Sequence, residues 1–250
     1  MGQRRSPLGV EDLERVAARG WRALEEGSLG GWLLRAGGGF TGRANSALVV
    51  GDPGVPLPAA VDAVARWYDE RGLRPAAQLP GVQSRAADAA FSAAGWERDE
   101  DTLVLTAPVG VRQPVDVPVE LAGSPDEAWL AGYRHRGAAL PPVAVDVLTS
   151  AEDAVFASVR LAPAPAPLAA VARGVLTDGW LGVTAVTVAE EHRRQGLATA
   201  VMTALQGWAA GRGAHSVYLQ VVGSNTAARA LYRRAGFIEH HRYHYRRRVG

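Results

Sequence analysis

The chain has 250 residues, 48% of them hydrophobic and 21% charged, so it is long enough for one large globular domain or two small ones. Its 27 basic residues, all arginine, and its 25 acidic residues leave a net charge of +2, too small to indicate a nucleic-acid partner. The sequence contains no cysteine, which excludes disulfides, thiolate metal sites and a cysteine nucleophile.

The N-terminal stretch MGQRRSPLGVEDLERV turns acidic and helical where a secretion signal would have its apolar segment. No apolar run reaches the length that a membrane-spanning helix needs. We therefore expect a cytoplasmic protein that has no membrane partner.

The first half of the chain predicts alternating strands and helices. In chain order these are the strand RANSALVV, a helix over 57–68, the strand PAAQL, the helix RAADAAFSAA and the strand DTLVLTA. The preceding stretch GGGFTG (37–42) matches G-x-G-x-x-G, but a strand follows it where a dinucleotide site needs a helix. We therefore expect a tight strand connection there.

A boundary is expected within PVGVRQPVDVP, where prolines and polar residues interrupt the pattern, and it divides the chain into 1–117 and 118–250. The sequence SPDE then predicts a capping box that opens a helix over 125–136. Ser124 is its expected N-cap, and Glu127 is expected to reach back to it.

The second half predicts the same series of elements. They are the strand WLGVTAVTV, a helix that begins near Gly196, the strand SVYLQVV, the helix NTAARALYRRA closed by Gly236, and the final strand HHRYHYRRR. Residues 71–96 align without a gap on 212–237, at an offset of 141. The pairs Trp67 and Trp208, Arg71-Gly72 and Arg212-Gly213, and Gly95 and Gly236 indicate an internal duplication.

The stretch EHRRQGLATAV (191–201) has the features of an anion site at a helix start. The first N–H groups of a helix lack partners, and its dipole is positive there. Gly196 lets the backbone come close to an anion, Ala198 and Thr199 are small, and Arg193 and Arg194 add charge. The alternative interpretation is a solvated basic turn before an ordinary amphipathic helix.

Arg193-x-x-Gly196-x-Ala198, followed about thirty residues later by NTAARALYRRAGF, resembles the GNAT superfamily of acetyl-CoA-dependent N-acetyltransferases. The resemblance covers roughly residues 125–245. It implies an α+β, three-layer α/β/α fold made of two tandem GNAT-like domains, each a mixed twisted sheet flanked by helices.

The resemblance also implies roles for individual residues. The coenzyme A pyrophosphate would lie against Arg193, Arg194, Gln195, Gly196, Leu197, Ala198 and Thr199. The pantetheine arm would bind the strand end at Val186, Thr187 and Val188. Asn225 would contact the coenzyme, and Tyr232 would donate a proton to the leaving sulfur. A packed helix aromatic is the alternative interpretation of Tyr232.

The general base is not identified by the sequence. Many relatives carry a glutamate where this chain reads WLGVT or Gln220, and an amide cannot act as a base. Asp178 is the nearest carboxylate, whereas Glu190 and Glu191 are expected to face solvent. Tyr133 and His135 are further candidates, and a water relay is an equal alternative.

The first copy has lost the residues that would handle a coenzyme. GDPGVPLPA replaces the cradle, so that Asp52 and Pro53 stand in place of the two arginines. Ser84 replaces Asn225, and Phe91 replaces Tyr232. We therefore expect a degenerate GNAT-like domain over 1–117 that has no cofactor site.

The tail EHHRYHYRRRVG suggests neither metal nor nucleic acid. His240 and His244 share a strand face while His241 points away, and Arg246, Arg247 and Arg248 form a short solvated end. We expect domain 118–250 to transfer the acetyl group of acetyl-CoA to a primary amine, on a small molecule or on a peptide or protein, without a metal. The alternative is a non-catalytic acyl-CoA-binding regulatory or interaction protein.

Overall fold

The computed structural model describes residues 8–110, 116–133, 139–163 and 165–249. Its helices are α1 Val10–Gly20, α2 Leu57–Asp69, α3 Arg85–Ala93, α4 Glu127–Gly132, α5 Ala144–Thr149, α6 Leu197–Ala210 and α7 Thr226–Arg234. Its strands are β1 Glu25–Leu29, β2 Trp32–Ala36, β3 Ala47–Leu48, β4 Ala76–Pro80, β5 Glu97–Arg98, β6 Thr102–Pro108, β7 Glu120–Ala122, β8 Ala154–Val159, β9 Ala170–Thr177, β10 Trp180–Val188, β11 Ser216–Val222 and β12 Ile238–Arg247.

The chain folds into two compact units that are not simple halves of the sequence. The first unit consists of the described residues of Met1–Val104, Val221–Leu231 and Glu239–Gly250. The second consists of those of Leu105–Gln220 and Tyr232–Ile238. The predicted division after residue 117 separates the two copies of the repeat, of which only the second is expected to bind a coenzyme. That division stays a prediction.

The sheet of the first unit has the strand order β1-β2-β3-β4-β12. Strands β3 and β4 pair in parallel, and the other neighbours in this order pair antiparallel. Strand β12 lies along β4 from Tyr243 opposite Pro80 to Arg247 opposite Ala76. The last strand of the second copy therefore completes the sheet of the first unit.

The sheet of the second unit has the order β11-β10-β9-β8-β7. It repeats the same plan, with one parallel pair, β10 and β11, beside an antiparallel meander. A two-residue turn at Asp178 and Gly179, with φ of 50° and 76°, joins β9 to β10, as in type I′ hairpins. Each unit is thus a mixed sheet flanked by helices, which confirms the predicted fold class.

Each unit has its own apolar core. In the first unit the fully buried side chains of Trp32, Tyr68 and Phe91 pack between the sheet and helices α2 and α3. In the second unit α6 packs on β8, β9 and β10 through its predicted apolar stripe, of which Val201 and Leu205 are fully buried. Burying a large apolar side chain contributes about 1.5–3 kcal/mol, so these stripes hold the helices on the sheets.

The duplication is visible in local geometry as well as in sequence. Helices α3 and α7 begin 141 residues apart and end 141 residues apart. Gly95 and Gly236 follow them with the same φ of 79°. The guanidinium of Arg71 lies 3.8 Å from the ring centroid of Trp67, and that of Arg212 lies 4.5 Å from its counterpart Trp208. These shared details indicate that the two copies have one structural origin.

The helix predicted over 125–136 begins later than expected. Its N-cap is Asp126, whose carboxylate accepts a hydrogen bond from the Trp129 amide at 2.7 Å, so the assignment of Ser124 as N-cap was wrong. A carboxylate caps as well as a hydroxyl, and the motif SPDE offers both groups two residues apart. The last described helical residue is Gly132, and the predicted end at 136 lies outside the described residues.

The arginines of the tail are not a solvated end. Arg246 donates to Asp88 at 2.7 Å, Arg247 donates to Asp99 at 2.7 Å, and Arg248 donates to Asp69 at 2.8 Å. Because β12 is paired with β4, these cations lie beside carboxylates of the first unit. The local sequence of the tail contained no sign of this pairing.

The neighbouring rings of His240 and His241 meet, with their Nδ1 atoms 2.8 Å apart, contrary to the prediction that they point apart. Alternation along a strand fixes the Cα–Cβ directions, but the ring nitrogens lie farther out and can turn toward one edge. No set of three or more His, Cys, Asp or Glu side chains among the described residues is placed to hold a metal ion. Within the same residues, no helix combines the length and apolarity required to span a bilayer.

Candidate active site

Strand β10 is interrupted halfway along its length. Ala185 has a φ of 56°, and the pairing with β9 shifts register between Thr184 and Thr187. The parallel pairing with β11 ends at Val183, opposite Leu219. A β-bulge of this kind bends a strand away from its neighbour. Beyond the bulge, the strand end predicted to bind pantetheine therefore has no pairing partner on β11.

The chain then makes a tight turn into α6. A single 3-10 turn at Glu190–His192 follows the strand. Arg194 and Gly196 both have left-handed backbone conformations, with φ of 63° and 81°. Gly196 is the N-cap of α6, and no side chain caps this helix. The turn presents a series of amides to one place in front of the first helical residue, Leu197.

Six consecutive amide N–H groups in this turn have no partner. The first hydrogen bond of the helix runs from the Ala200 amide to the Gly196 carbonyl at 3.0 Å. In the part of the chain that the structure describes, the amides of residues 194–199 donate no hydrogen bond. A run of free N–H groups around a left-handed residue at a helix N-terminus is an anion-binding arrangement. The predicted cradle therefore has the donors that an anion requires.

The side chains around this run of amides leave the approach open. A Cβ built on Gly196 would meet no heavy atom within 4 Å. Arg193, Arg194 and Gln195 are exposed. The ion pair of Arg193 with Glu190 is 3.4 Å long between exposed side chains, so it holds the arginine only weakly. Both arginines can therefore turn toward an anion at the cradle.

Tyr232 lies in the second unit near the end of α7. Its ring packs against Phe237 with centroids 5.8 Å apart, and the residue is 8% exposed. Its hydroxyl has no hydrogen-bond partner among the described residues. Burial raises the pKa of Tyr232 to about 12, so the hydroxyl keeps its proton at neutral pH. The side chain is both a packed aromatic and a free donor.

Asn225 belongs to the first unit. Its Oδ1 accepts a hydrogen bond from the Ala228 amide at 3.1 Å, which makes Asn225 the cap of α7. The predicted site residues therefore divide between the units. The strand end, the cradle and Tyr232 fall in the second unit, and Asn225 falls in the first.

Of the side chains considered as the general base, the described carboxylates lie in the segments just before and just after β10. Asp178 lies in the turn that precedes β10, seven residues before Ala185, which corresponds to roughly 20 Å of strand. Glu190 and Glu191 are exposed, as expected. Tyr133 is buried against Trp129, with ring centroids 5.7 Å apart. His135 lies outside the described residues.

Two features of the site were not found from the sequence. The left-handed conformations of Ala185 and Arg194 lie in segments that read as a plain β-branched strand and a plain basic turn. Glycine or asparagine would have signalled such a conformation, but neither residue is present at these positions. Strain of this kind is held by the surrounding fold and occurs often at functional sites.

Comparison with known proteins identifies the relatives of the chain. The family model described as "Probable histone acetyltransferase Rv0428c C-terminal" matches residues 9–246. The probable histone acetyltransferase Rv0428c of Mycobacterium tuberculosis is 34% identical over 247 residues, which cover 94% of this chain and 73% of the relative. The uncharacterized N-acetyltransferase YobR of Bacillus subtilis is 28% identical over 259 residues, which cover 95% of this chain and 98% of the relative.

Solved structures share the fold at low sequence identity. A GCN5-related N-acetyltransferase from Kribbella flavida has a TM-score of 0.65 at 18% identity, with 96% of each chain covered. A tandem GNAT protein from the clavulanic acid biosynthesis pathway has a TM-score of 0.60 at 18% identity, with 87% of this chain and 77% of the other covered. The predicted GNAT resemblance is confirmed by these comparisons.

Proposed function

The chain belongs to the family of the Rv0428c C-terminal region and is an acetyltransferase of the GNAT type, and on this premise we propose that it transfers the acetyl group of acetyl-CoA to a primary amine. The observation that carries the proposal is the run of six unpaired amides at residues 194–199. The donor supplies an acetyl thioester joined to a diphosphate through an arm that contains amides. Each of these parts requires a different kind of partner from the protein.

The cradle suits the diphosphate. Phosphate oxygens accept hydrogen bonds, and the amides of 194–199 are donors without acceptors at the positive end of α6. Hydrogen bonds to a charged acceptor contribute about 1.5–3 kcal/mol each, so a few of them are enough to fix the group. Arg193 and Arg194 add two mobile positive charges beside the amides.

The strand end at Val186–Val188 suits the amide-containing arm. Beyond the bulge at Ala185, the β11 side of β10 has peptide groups without a strand partner. Peptide-like amides can pair with such an edge as an added strand does. The same edge offers N–H donors for the carbonyl oxygen that gains charge during acyl transfer. Asn225 as an additional contact to the coenzyme stays a prediction.

Tyr232 suits the role of proton donor to the sulfur. A thiol with a pKa of about 8.5 is a better leaving group when a neighbouring hydroxyl donates to it. With its pKa raised to about 12 by burial, the hydroxyl of Tyr232 remains protonated over the whole working range of pH. It also has no partner in the described chain from which it must first be released.

The proton of the acceptor leaves through water in this proposal. An alkylammonium has a pKa of about 10.4, so only about one molecule in a thousand is nucleophilic at pH 7. None of the described carboxylates considered above lies at the bulge. The acceptor panel should include lysine side chains of histones, because the mycobacterial relative is named a probable histone acetyltransferase.

A pair of glycine variants tests the proposal. Gly196 and Gly213 have the same φ of 81°, and a Cβ at either position meets open space. Replacing either with alanine therefore costs a similar conformational strain, on the order of 1 kcal/mol. Gly196→Ala places a methyl group inside the cradle, and we expect the Kd of acetyl-CoA, measured by calorimetry, to rise about tenfold or more.

Gly213→Ala should leave that Kd unchanged. Equal affinities for the two variants would contradict the assignment of the cradle. Thiol release with small amines, a peptide and histone as acceptors then tests the amine part of the proposal. Hydrolysis of acetyl-CoA without acetylation of any amine would contradict that part.

A further inference from the structure

The first unit contains a cavity of about 520 Å³ that the proposed acetyl transfer does not use. Its walls are the end of β4, the loop into α3, the first turn of α3 and the first half of β12. Val10 of α1, Arg98 and Asp101 complete the wall. Every lining residue belongs to the first unit, and cavities of this size hold small organic ligands.

Most of the charged side chains in the wall already have partners. Arg98 donates to Asp101 at 2.6 Å, and Arg242 donates to Glu239 at 2.7 Å. Neither of these guanidinium groups is therefore an uncompensated charge. Any ligand charge must be matched by another group.

The carboxylate of Asp88 is also compensated. His244 and Arg246 both donate to its Oδ1, at 2.8 and 2.7 Å. Partial burial opposes ionisation of Asp88, but these hydrogen bonds outweigh it and hold the pKa of the carboxyl below its usual value. Asp88 therefore remains an anion that its own partners neutralise.

The histidine pair at the start of β12 forms a neutral chain with a buried carboxylate. His241 Nε2 lies 2.8 Å from Glu14 Oε1, and His240 Nε2 lies 2.9 Å from the Leu8 carbonyl oxygen. The carbonyl only accepts, so His240 Nε2 carries a proton, and one further proton lies between the two Nδ1 atoms. A third proton lies between His241 and Glu14, so the chain as a whole has no net charge.

The remaining charged side chain in the wall of the cavity is that of Arg85. It lines the cavity from the first position of α3, it is exposed, and its guanidinium makes no hydrogen bond or ion pair with any residue that the structure describes. Beside it the wall is apolar, through Val10 and Val82. Val82 is 75% exposed, the highest value among the large apolar side chains exposed on the described surface.

We propose that this cavity binds a small organic carboxylate, with Arg85 as its counter-ion and with Val10 and Val82 against its apolar body. A guanidinium matches a carboxylate with two parallel hydrogen bonds. One uncompensated positive charge suits a monoanion, whereas a phosphate monoester carries about −1.5 to −2 charges at pH 7 and would need a second free cation. The proposal rests on the first unit alone and does not depend on the acetyl-transfer proposal.

Titration of the whole chain with benzoate tests this site, with inorganic phosphate as the competing probe. We expect saturable benzoate binding by calorimetry, with shifts in the imidazole NMR signals of His240 and His244. The signals of His192 and His215, which belong to the second unit, should not move. Absence of saturable benzoate binding, or tighter binding of phosphate than of benzoate, would overturn the proposal.

Two matched arginine variants test whether Arg85 is the counter-ion of the bound carboxylate. Arg85→Gln should weaken benzoate binding at least about tenfold, as expected for loss of a charge-assisted pair. Arg66→Gln removes the same charge from an exposed position on α2 that does not line the cavity, and it should leave the affinity within about twofold. Equal loss in the two variants, or no loss in Arg85→Gln, would show that Arg85 is not the counter-ion.

Discussion

Helices α2 and α6 occupy equivalent places in the two copies of the repeat, but their first turns offer different donors. Helix α6 begins after Gly196, and the six amides before its first hydrogen bond are free. Helix α2 begins after Pro56 and has Pro58 in its first turn, and neither proline has an N–H. The carboxylate of Asp52 also accepts from the Gly54 amide at 2.7 Å, which places a negative charge where an anion would come.

The strand-to-helix connection also differs in length. The parallel partners Gln78 and Leu219 are 141 positions apart, whereas Leu48 and Val183, the residues that pair with them, are 135 positions apart. Leu48 lies 9 positions before the first residue of α2 and Val183 lies 14 positions before the first residue of α6, so the first copy is five residues shorter here. In the second copy this longer segment contains the bulge at Ala185 and the cradle.

The comparison separates what a fold needs from what a coenzyme needs. Packing positions such as Trp67 and Trp208 are kept in both copies, together with their cation–π contacts. The unbroken run of six free amides, the two arginines beside it and the hydroxyl of Tyr232 have no counterparts at the equivalent positions of the first copy. We therefore propose that residues 118–250 bind acetyl-CoA and that residues 1–117 are a degenerate copy without that site.

The largest expected effect comes from replacing Tyr232 with phenylalanine, the residue at the equivalent position of the first copy. Phe91 occupies the equivalent place in the first copy, fully buried against Trp96 with ring centroids 4.8 Å apart. Tyr232→Phe keeps the ring and removes the donor, so kcat should fall by about 100-fold while the Kd of acetyl-CoA is unchanged. Steady-state kinetics measures kcat, and calorimetry measures the Kd of acetyl-CoA. An unaltered kcat would mean that Tyr232 is a packing residue, as Phe91 is.

The next effect comes from making the start of α6 like the start of α2. Ala198→Pro places a proline at the helix position that Pro58 occupies in the first copy, where proline is tolerated. The variant should keep its helical circular dichroism, but acetyl-CoA affinity should fall about tenfold because one donor to the diphosphate is lost. Pro58→Ala is the reciprocal control and should change nothing. Undiminished affinity in Ala198→Pro would argue against amide binding of the diphosphate.

A smaller effect is expected where the copies carry opposite charges. Asp88 corresponds to Arg229, and Asp88→Asn should cost about 1 kcal/mol of unfolding free energy at pH 7 because it weakens the contacts with His244 and Arg246. The pKa of Asp88 is lowered in the folded state, so this stability is present above the unfolded value near 3.8 and is lost as pH falls below it.

Urea titrations at pH 7 and pH 3 measure this difference between Asp88→Asn and the original chain. It should shrink at pH 3. A constant difference for Asp88→Asn would show that its ion pair does not stabilise the fold.

The smallest expected effect lies in the contact that both copies retain. Arg212→Ala removes a cation–π contact with Trp208 and should lower the unfolding free energy by about 0.5 kcal/mol. Arg71→Ala should cost more, because Arg71 also donates to Glu25 at 3.0 Å. Thermal melts of the two variants compare them. A larger loss at Arg212 would mean that the copies use this contact differently.

The sequence was sufficient for the elements predicted above in each copy and for the start of α6. Periodicity placed α6 on its apolar stripe, and the glycine at 196 marked the start of the helix. These features depend on local residues, whose preferences are readable in order along the chain. The duplication was readable for the same reason, since each copy keeps its own local pattern.

Long-range pairing was not readable. Nothing within the tail indicated that β12 pairs with β4 or that Arg246 meets Asp88, because both contacts join residues more than 150 positions apart. The bulge at Ala185 was missed because alanine carries no preference for a left-handed backbone. The cap at Asp126 was missed because two capping residues stand close together in the sequence.

The pairing of β12 with β4 has a consequence for synthesis on the ribosome. Residues 105–220 must be translated between the strand β4 and its neighbour β12, at about 5–20 residues per second. During that interval the nascent first unit presents one bare edge of β4 to its surroundings, a surface that chaperones and other nascent chains can pair with. Pulse-labelling combined with limited proteolysis should therefore show that Met1–Val104 becomes resistant to protease later than Leu105–Gln220, although it is translated first.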